Sequence, residues 1–269
     1  MSGRLSEKIE DRIQIFPINR WEEEFQRASK IGFDLIEWIF DTVPNNPIMN
    51  KQGIKKMEKL QKEFRVEVNS VCADYFMEKR LFNISEMEVK QNLEILNQLI
   101  QNCNFLGIEI LEIPFVDISS LKSNKDIKEI IKNLRKVLEN AEKNSVKLTL
   151  ETDLSPKIFK NLMETFDHPN IKANYDTGNS TSLGYDIIEE LGEIGPWISN
   201  IHIKDRKYNG NTVPLGTGHT NFELFFSELR KIEYKGDFII QGAREEPEIS
   251  CIETSAKYLN FIKKYIDKI

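Results

Sequence analysis

The chain has 269 residues, with 13 Gly, 9 Pro, 3 Cys and 40% hydrophobic residues, a composition that fits a globular protein and excludes a collagen, a disordered chain or a disulfide scaffold. Lys and Arg number 37 against 43 Asp and Glu, a formal net charge of -6, so the chain as a whole has no attraction for nucleic acid or an anionic membrane. Cys72, Cys103 and Cys251 are widely spaced and form no CxxC pair, which speaks against a cysteine zinc site and for a reducing compartment.

The first residues, MSGRLSEKIEDRIQIFPINR, are polar and lack a signal-peptide core, and no apolar run approaches the ~18 residues of a membrane helix. A cytoplasmic protein is expected. Short apolar or β-branched runs then recur along the chain at Ile13–Phe16, Asp34–Phe40, Val66–Ala73, Ile108–Phe115, Lys147–Glu151, Ile171–Tyr175, Ile198–Ile203 and Asp237–Gln241. Charged segments with helical periodicity separate them, which is the pattern of βα units around a parallel sheet.

Helices are predicted from faces and caps. Trp21–Ile31 carries Trp21, Phe25 and Ala28 on one stripe, with Gly32 placed as a left-handed C-cap. Ser85–Phe105 spaces Leu93, Leu96 and Ile100 helically, and Asp126–Glu142 does so with Ile127, Ile130, Ile131, Leu134 and Leu138. Asn221 is an N-cap for Phe222–Lys231, and Ile249–Ile269 closes the chain. No linker or composition shift interrupts the order, so the expected fold is α/β, a single (β/α)8 TIM barrel spanning residues 1–269. A doubly wound sheet would carry a glycine-rich loop after its first strand. The chain's GxG, Gly216 and Gly218, comes late and reads as a flexible loop opening the next helix.

In a barrel the chemistry lies at the C-terminal strand ends. The fifth run, KLTLET, ends at Glu151; the sixth, IKANYDTGN, at Asp176; the seventh, ISNIHIKD, carries His202; the last, DFIIQGARE, ends at Gln241. Neighbouring strands lie ~4.8 Å apart, so these four side chains can converge on one point. One imidazole nitrogen and three oxygens form a set suited to Mn²⁺, Mg²⁺ or Co²⁺, or to a catalytic Zn²⁺.

At these positions the sequence resembles the xylose isomerase-like TIM barrels of sugar isomerases and epimerases, and among them the L-ribulose-5-phosphate 3-epimerase and ketose 3-epimerase branch. GFDLIEW, LTLETD, YDTGN, HIKD and the stretch from HIKDRKYNG to VPLGTGHTNFE carry the resemblance. It implies that Glu151, Asp176 and His202 bind a divalent cation, that Glu151 doubles as acid/base, and that Glu37 and Asn179 face substrate. The branch usually places a second Glu where this chain has Gln241. An amide oxygen can ligate a metal but cannot exchange a proton near neutral pH, so two-base epimerisation is put in question.

The neutral amide also leaves the pocket one negative charge short, with Lys204 and Arg244 close along the chain. These two are expected to bind an anionic sugar phosphate or sugar acid. The expected reaction is isomerisation or epimerisation through an enediolate; the alternatives are an inosose dehydratase-like polyol dehydration, or a non-catalytic sugar binder. The partner is a small carbohydrate, with neither nucleic acid nor membrane involved. A homo-oligomer is compatible with such a barrel, although the sequence marks no interface.

Overall fold

The computed structural model describes residues 1–9 and 12–266. Seven strands make one parallel sheet: β1 (Trp38–Ile39), β2 (Ser70–Cys72), β3 (Ile110–Phe115), β4 (Lys147–Thr152), β5 (Ile171–Asp176), β6 (Ile198–Ile203) and β9 (Phe238–Ile240). Between the last two, β7 (Asp205–Arg206) and β8 (Thr212–Val213) form a small antiparallel pair. Each strand of the large sheet pairs with the next one in the chain, and helices intervene. This sheet therefore winds in one sense, whereas a doubly wound sheet reverses its strand order at a switch point.

Alternation along the strands separates two environments. Leu111, Ile113, Leu148, Leu150, Ala173, Tyr175, Ile201 and Ile203 are buried apolar residues facing the helices; Tyr175, for example, stacks on Phe225 of the helix Phe222–Lys231 at 5.3 Å between centroids. The alternate residues Glu112, Glu151, Asn174, Asp176, Asn200 and His202 are buried and polar, and they meet inside the sheet's curve.

The helices follow their local signals. Trp21–Ile31 ends at Gly32, whose φ of 94° is the left-handed cap that a residue without Cβ adopts freely. Ser85 and Glu88 form a reciprocal capping box at the start of Glu86–Leu106, and the Asn221 side chain accepts from Leu224 N at 3.0 Å. The segment expected as one helix over Asp126–Glu142 is two, Asn124–Leu134 and Leu138–Lys143. The last helix is Cys251–Ile266; positions 267–269 of the expected Ile249–Ile269 lie outside the described residues. Trp38 is fully buried against Phe16, Trp21 and Phe25, with ring centroids 5.1, 5.6 and 6.3 Å away. Its indole N–H donates to Asn46 at 3.0 Å. This packing fixes β1, and with it the adjoining Glu37.

The difference from expectation lies at the first run, Ile13–Phe16, which joins no strand. The reason is competition for the free edge of β1. Ser2 N donates to Glu37 O at 2.7 Å and Ser2 Oγ accepts from Ile39 N at 2.9 Å, so the N-terminal residues hold the positions that an adjacent strand would take. Arg4 Nη1 reaches across to Gly242 O at 2.6 Å, bridging the seam between β1 and β9.

Candidate active site

His202, on β6, is fully buried and stands between carboxylates. Its Nε2 lies 2.9 Å from Glu37 Oε2, and its Nδ1 lies 3.2 Å from Glu151 Oε2 and 4.0 Å from Asp176 Oδ2. These are close approaches rather than aligned hydrogen bonds: both ring nitrogens and Glu37 Oε2 are left without a hydrogen-bond partner. Burial by itself would lower the His202 pKa, but the charges of Glu37 and Glu151 overcome it and hold the imidazole well above its ordinary value.

Glu151, at the end of β4, is oriented by two amides: Asn174 Nδ2 donates to Oε2 at 2.8 Å and Asn179 Nδ2 to Oε1 at 2.6 Å. Burial opposes its ionisation, yet His202, Lys204 and Asn174 outweigh it and keep the carboxyl below its usual pKa. Asp176 serves two ends. Its Oδ1 accepts from Gly178 N and Asn179 N, both at 2.8 Å, capping the helix Thr177–Leu183, while Oδ2 lies 2.7 Å from Lys204 Nζ. A Cβ at position 178 would come within 2.6 Å of the Lys204 side chain, which is why glycine follows Asp-Thr here. The lysine stem passes through that space.

The other expected residues divide. Glu37 sits beneath His202, accepting from Ser70 Oγ and Asn200 Nδ2 at 2.9 Å each; it orients the imidazole, and its own carboxyl is kept low, against burial, by His202. Asn179 is on Glu151 and is itself held by Arg206 Nη1 at 2.9 Å. Gln241 is buried, and its amide N–H donates to Gln14 Oε1 at 3.1 Å. Arg244 is not brought to this cluster: its guanidinium donates to Ser6 O at 3.0 Å, Ile13 O at 3.2 Å and Gly3 O, and pairs with Glu246 at 3.0 Å.

The sequence reading missed Glu112 of β3. It is fully buried, neither carboxylate oxygen has a hydrogen-bond partner, and ligand atoms of Glu112, Glu151 and His202 lie within 4.8 Å of one another. Burial, then the charge of Glu151, pushes its pKa well above the carboxylate range. The available signal was a lone carboxylate inside the apolar run ILEIPF, two positions below the strand's last inward residue.

A divalent cation fits this donor set. Ligand oxygens and nitrogens ~2.1 Å from an ion stand roughly 3–4 Å apart, close to the spacing observed, and the unpartnered imidazole nitrogens and carboxylate oxygens are the atoms such an ion would engage.

Fold and site together define a class. Residues 25–264 match the xylose isomerase-like TIM barrel family, and the chain belongs to it. Over 260 residues the chain is 26% identical to L-ribulose-5-phosphate 3-epimerase UlaE of Escherichia coli O1:K1, covering 92% of this chain and 90% of that protein. Among solved structures it is similar to D-psicose 3-epimerase of Clostridium cellulolyticum H10, with a TM-score of 0.77 and 15% identity over 91% of this chain and 93% of the other. It is also similar to a xylose isomerase-like TIM barrel protein of Mycobacterium smegmatis in complex with magnesium, with a TM-score of 0.72 and 17% identity over 94% and 90%. No helix among the described residues is long and apolar enough to cross a membrane.

Proposed function

We propose that the chain is a divalent-metal-dependent sugar isomerase or epimerase in which Glu151 is the acid/base. The observation that carries this reading is the meeting of Glu151, Asp176 and His202 at the ends of β4, β5 and β6, with Glu151 held ionised by its neighbours. Glu151, Asp176 and His202 would hold a divalent cation, which when bound supplies Lewis-acid stabilisation of adjacent carbonyl and hydroxyl oxygens.

The chain's own residues account for the remaining requirements. Glu151 takes the proton from the carbon next to the carbonyl, leaving an enediolate, and in an aldose–ketose shift returns it to the adjacent carbon. Epimerisation needs a second proton donor on the opposite face, which the amide of Gln241 cannot be. Asn174 and Asn179 fix the direction of its lone pairs, and Glu37 fixes the ring of His202. Lys204, beside Asp176 with its side chain 13% exposed, would bind an anionic group on the sugar. Arg244, engaged with the N-terminal segment, does not share that task.

Similarity to UlaE over nearly the whole chain supports a ketose phosphate as substrate and C3 as the site of proton exchange. A single base suffices for an aldose–ketose shift, and that reaction exchanges hydrogen at C1. Proton NMR of ketose phosphates incubated with Mn²⁺-reconstituted protein in D₂O, after removal of the ion, separates the two. Deuterium at C3 supports epimerisation and at C1 isomerisation; no exchange in any ketose phosphate or sugar acid would refute the proposal.

A further inference from the structure

We propose that Glu112 joins Glu151, Asp176 and His202 as a ligand of the divalent cation. This rests on the metal-dependent reading above and deepens it.

Two observations carry the inference. Both oxygens of Glu112 are buried and without hydrogen-bond partners, whereas a buried polar group in a folded protein is normally satisfied by a partner or a bound ion. Its oxygen lies with those of Glu151 and a ring nitrogen of His202 inside a 4.8 Å circle, so small side-chain rotations bring all three to a common ion. The amide N–H of Gln241 donates to Gln14 at 3.1 Å, while its carbonyl oxygen is also buried and unpartnered. The sheet register places Pro114 beside Glu151 and Ile239 beside His202, so Glu112 and Gln241 each stand one inward-facing step from those neighbours.

The substitution is also consistent as chemistry. A neutral amide at the end of β9 removes a carboxylate from the ligand set, and Glu112 restores one from β3. The resulting set of two carboxylates and one imidazole, with Asp176 Oδ2 4.0 Å from His202 Nδ1, suits Mn²⁺ or Mg²⁺.

Titration with Mn²⁺, following the free ion by electron paramagnetic resonance, tests this on the full chain and on Glu112→Gln. The wild type is expected to bind one ion per chain and E112Q to bind at least 30-fold more weakly. Melting in EDTA monitors folding; if E112Q does not fold, Glu112→Asp, which keeps the charge but withdraws the oxygens, is expected to show the same loss. Unchanged binding in E112Q overturns the assignment of Glu112 and leaves the metal-dependent reading standing. A wild type that binds none of Mn²⁺, Mg²⁺, Co²⁺ or Zn²⁺ overturns both.

Discussion

Glu190, in the helix Ile187–Ile194, is buried, and its Oε2 accepts from the Tyr175 hydroxyl at 2.8 Å and from the Ser180 hydroxyl. Burial raises its pKa to about 7 although both hydroxyls pull it down. The folded state therefore holds this proton more tightly than the unfolded chain, so the contribution to stability is complete below about pH 4.5 and is lost as pH rises to about 7. At roughly 1.4 kcal/mol per pKa unit the loss is about 3 kcal/mol. Glu190→Gln keeps an acceptor for both hydroxyls, and we expect it to melt several degrees above the wild type at pH 8 and level with it at pH 4.5. Calorimetry at the two values checks this.

At the same scale, Glu151→Gln is expected to lower kcat by about 10²–10⁴-fold with the circular dichroism spectrum unchanged, measured on the substrate that exchanges deuterium. Glu151, Asp176 and His202 were legible in the sequence as polar residues at or one position before the end of an apolar run, and the period of two assigns them to the inner face. Glu112 was not, since a mid-strand position inside ILEIPF carries no comparable mark. Arg244 looked free because its partners are the carbonyls of Gly3, Ser6 and Ile13, more than two hundred residues away in the chain.

Among the elements, the connection from β7 to the helix Phe222–Lys231 is organised by one carboxylate. Asp205, 1% exposed, accepts from Gly216 N at 2.9 Å, Gly218 N at 2.7 Å and Thr220 N at 3.1 Å. A Cβ at position 218 would stand 2.0 Å from Asp205 Oδ1, so the second glycine of the GxG permits this approach. The loop reading of that motif was sound, but its partner could not be read from spacing. Removing the acceptor leaves three amides to find water, at about 1–3 kcal/mol for each that stays buried. Asp205→Ala is therefore expected to accelerate proteolytic cleavage within residues 207–219 at least tenfold, as followed by mass spectrometry, while sites in the helix Glu86–Leu106 stay protected. Caps such as Ser85, Gly32 and Asn221 were legible because their chemistry is local; the division of 126–142 into two helices was not, since no Pro or Gly marks the break.

For the whole molecule, the open question in the sequence was how the sheet meets itself. The run Ile13–Phe16 has strand composition, but edge hydrogen bonds go to whichever segment reaches them, and Ser2 occupies those of β1. The seam between β1 and β9 is instead spanned by side chains, chiefly Arg4 and Arg244, beside a cavity of about 320 Å³ lined in part by Ile36, Ile240 and Tyr258. Burial and the neighbouring Arg244 bring Arg4 down to about 10, still charged at neutral pH. Arg244→Ala strands three carbonyls and Glu246. We expect it to lower stability by about 2–4 kcal/mol, and to raise amide hydrogen exchange in β1 and β9 while β3 and β4 change little.

The central claim is that Glu151 moves a proton on a sugar carbon beside a carbonyl, in a site completed by a divalent cation. Deuterium incorporation from D₂O into a panel of ketose phosphates and sugar acids, read by NMR with the metal-loaded wild type, the EDTA-treated protein and Glu151→Gln side by side, tests it most directly. The account predicts exchange at one carbon next to the carbonyl with the loaded wild type and its loss in the other two samples; exchange that survives both treatments, or none in any sugar with the loaded wild type, would contradict it.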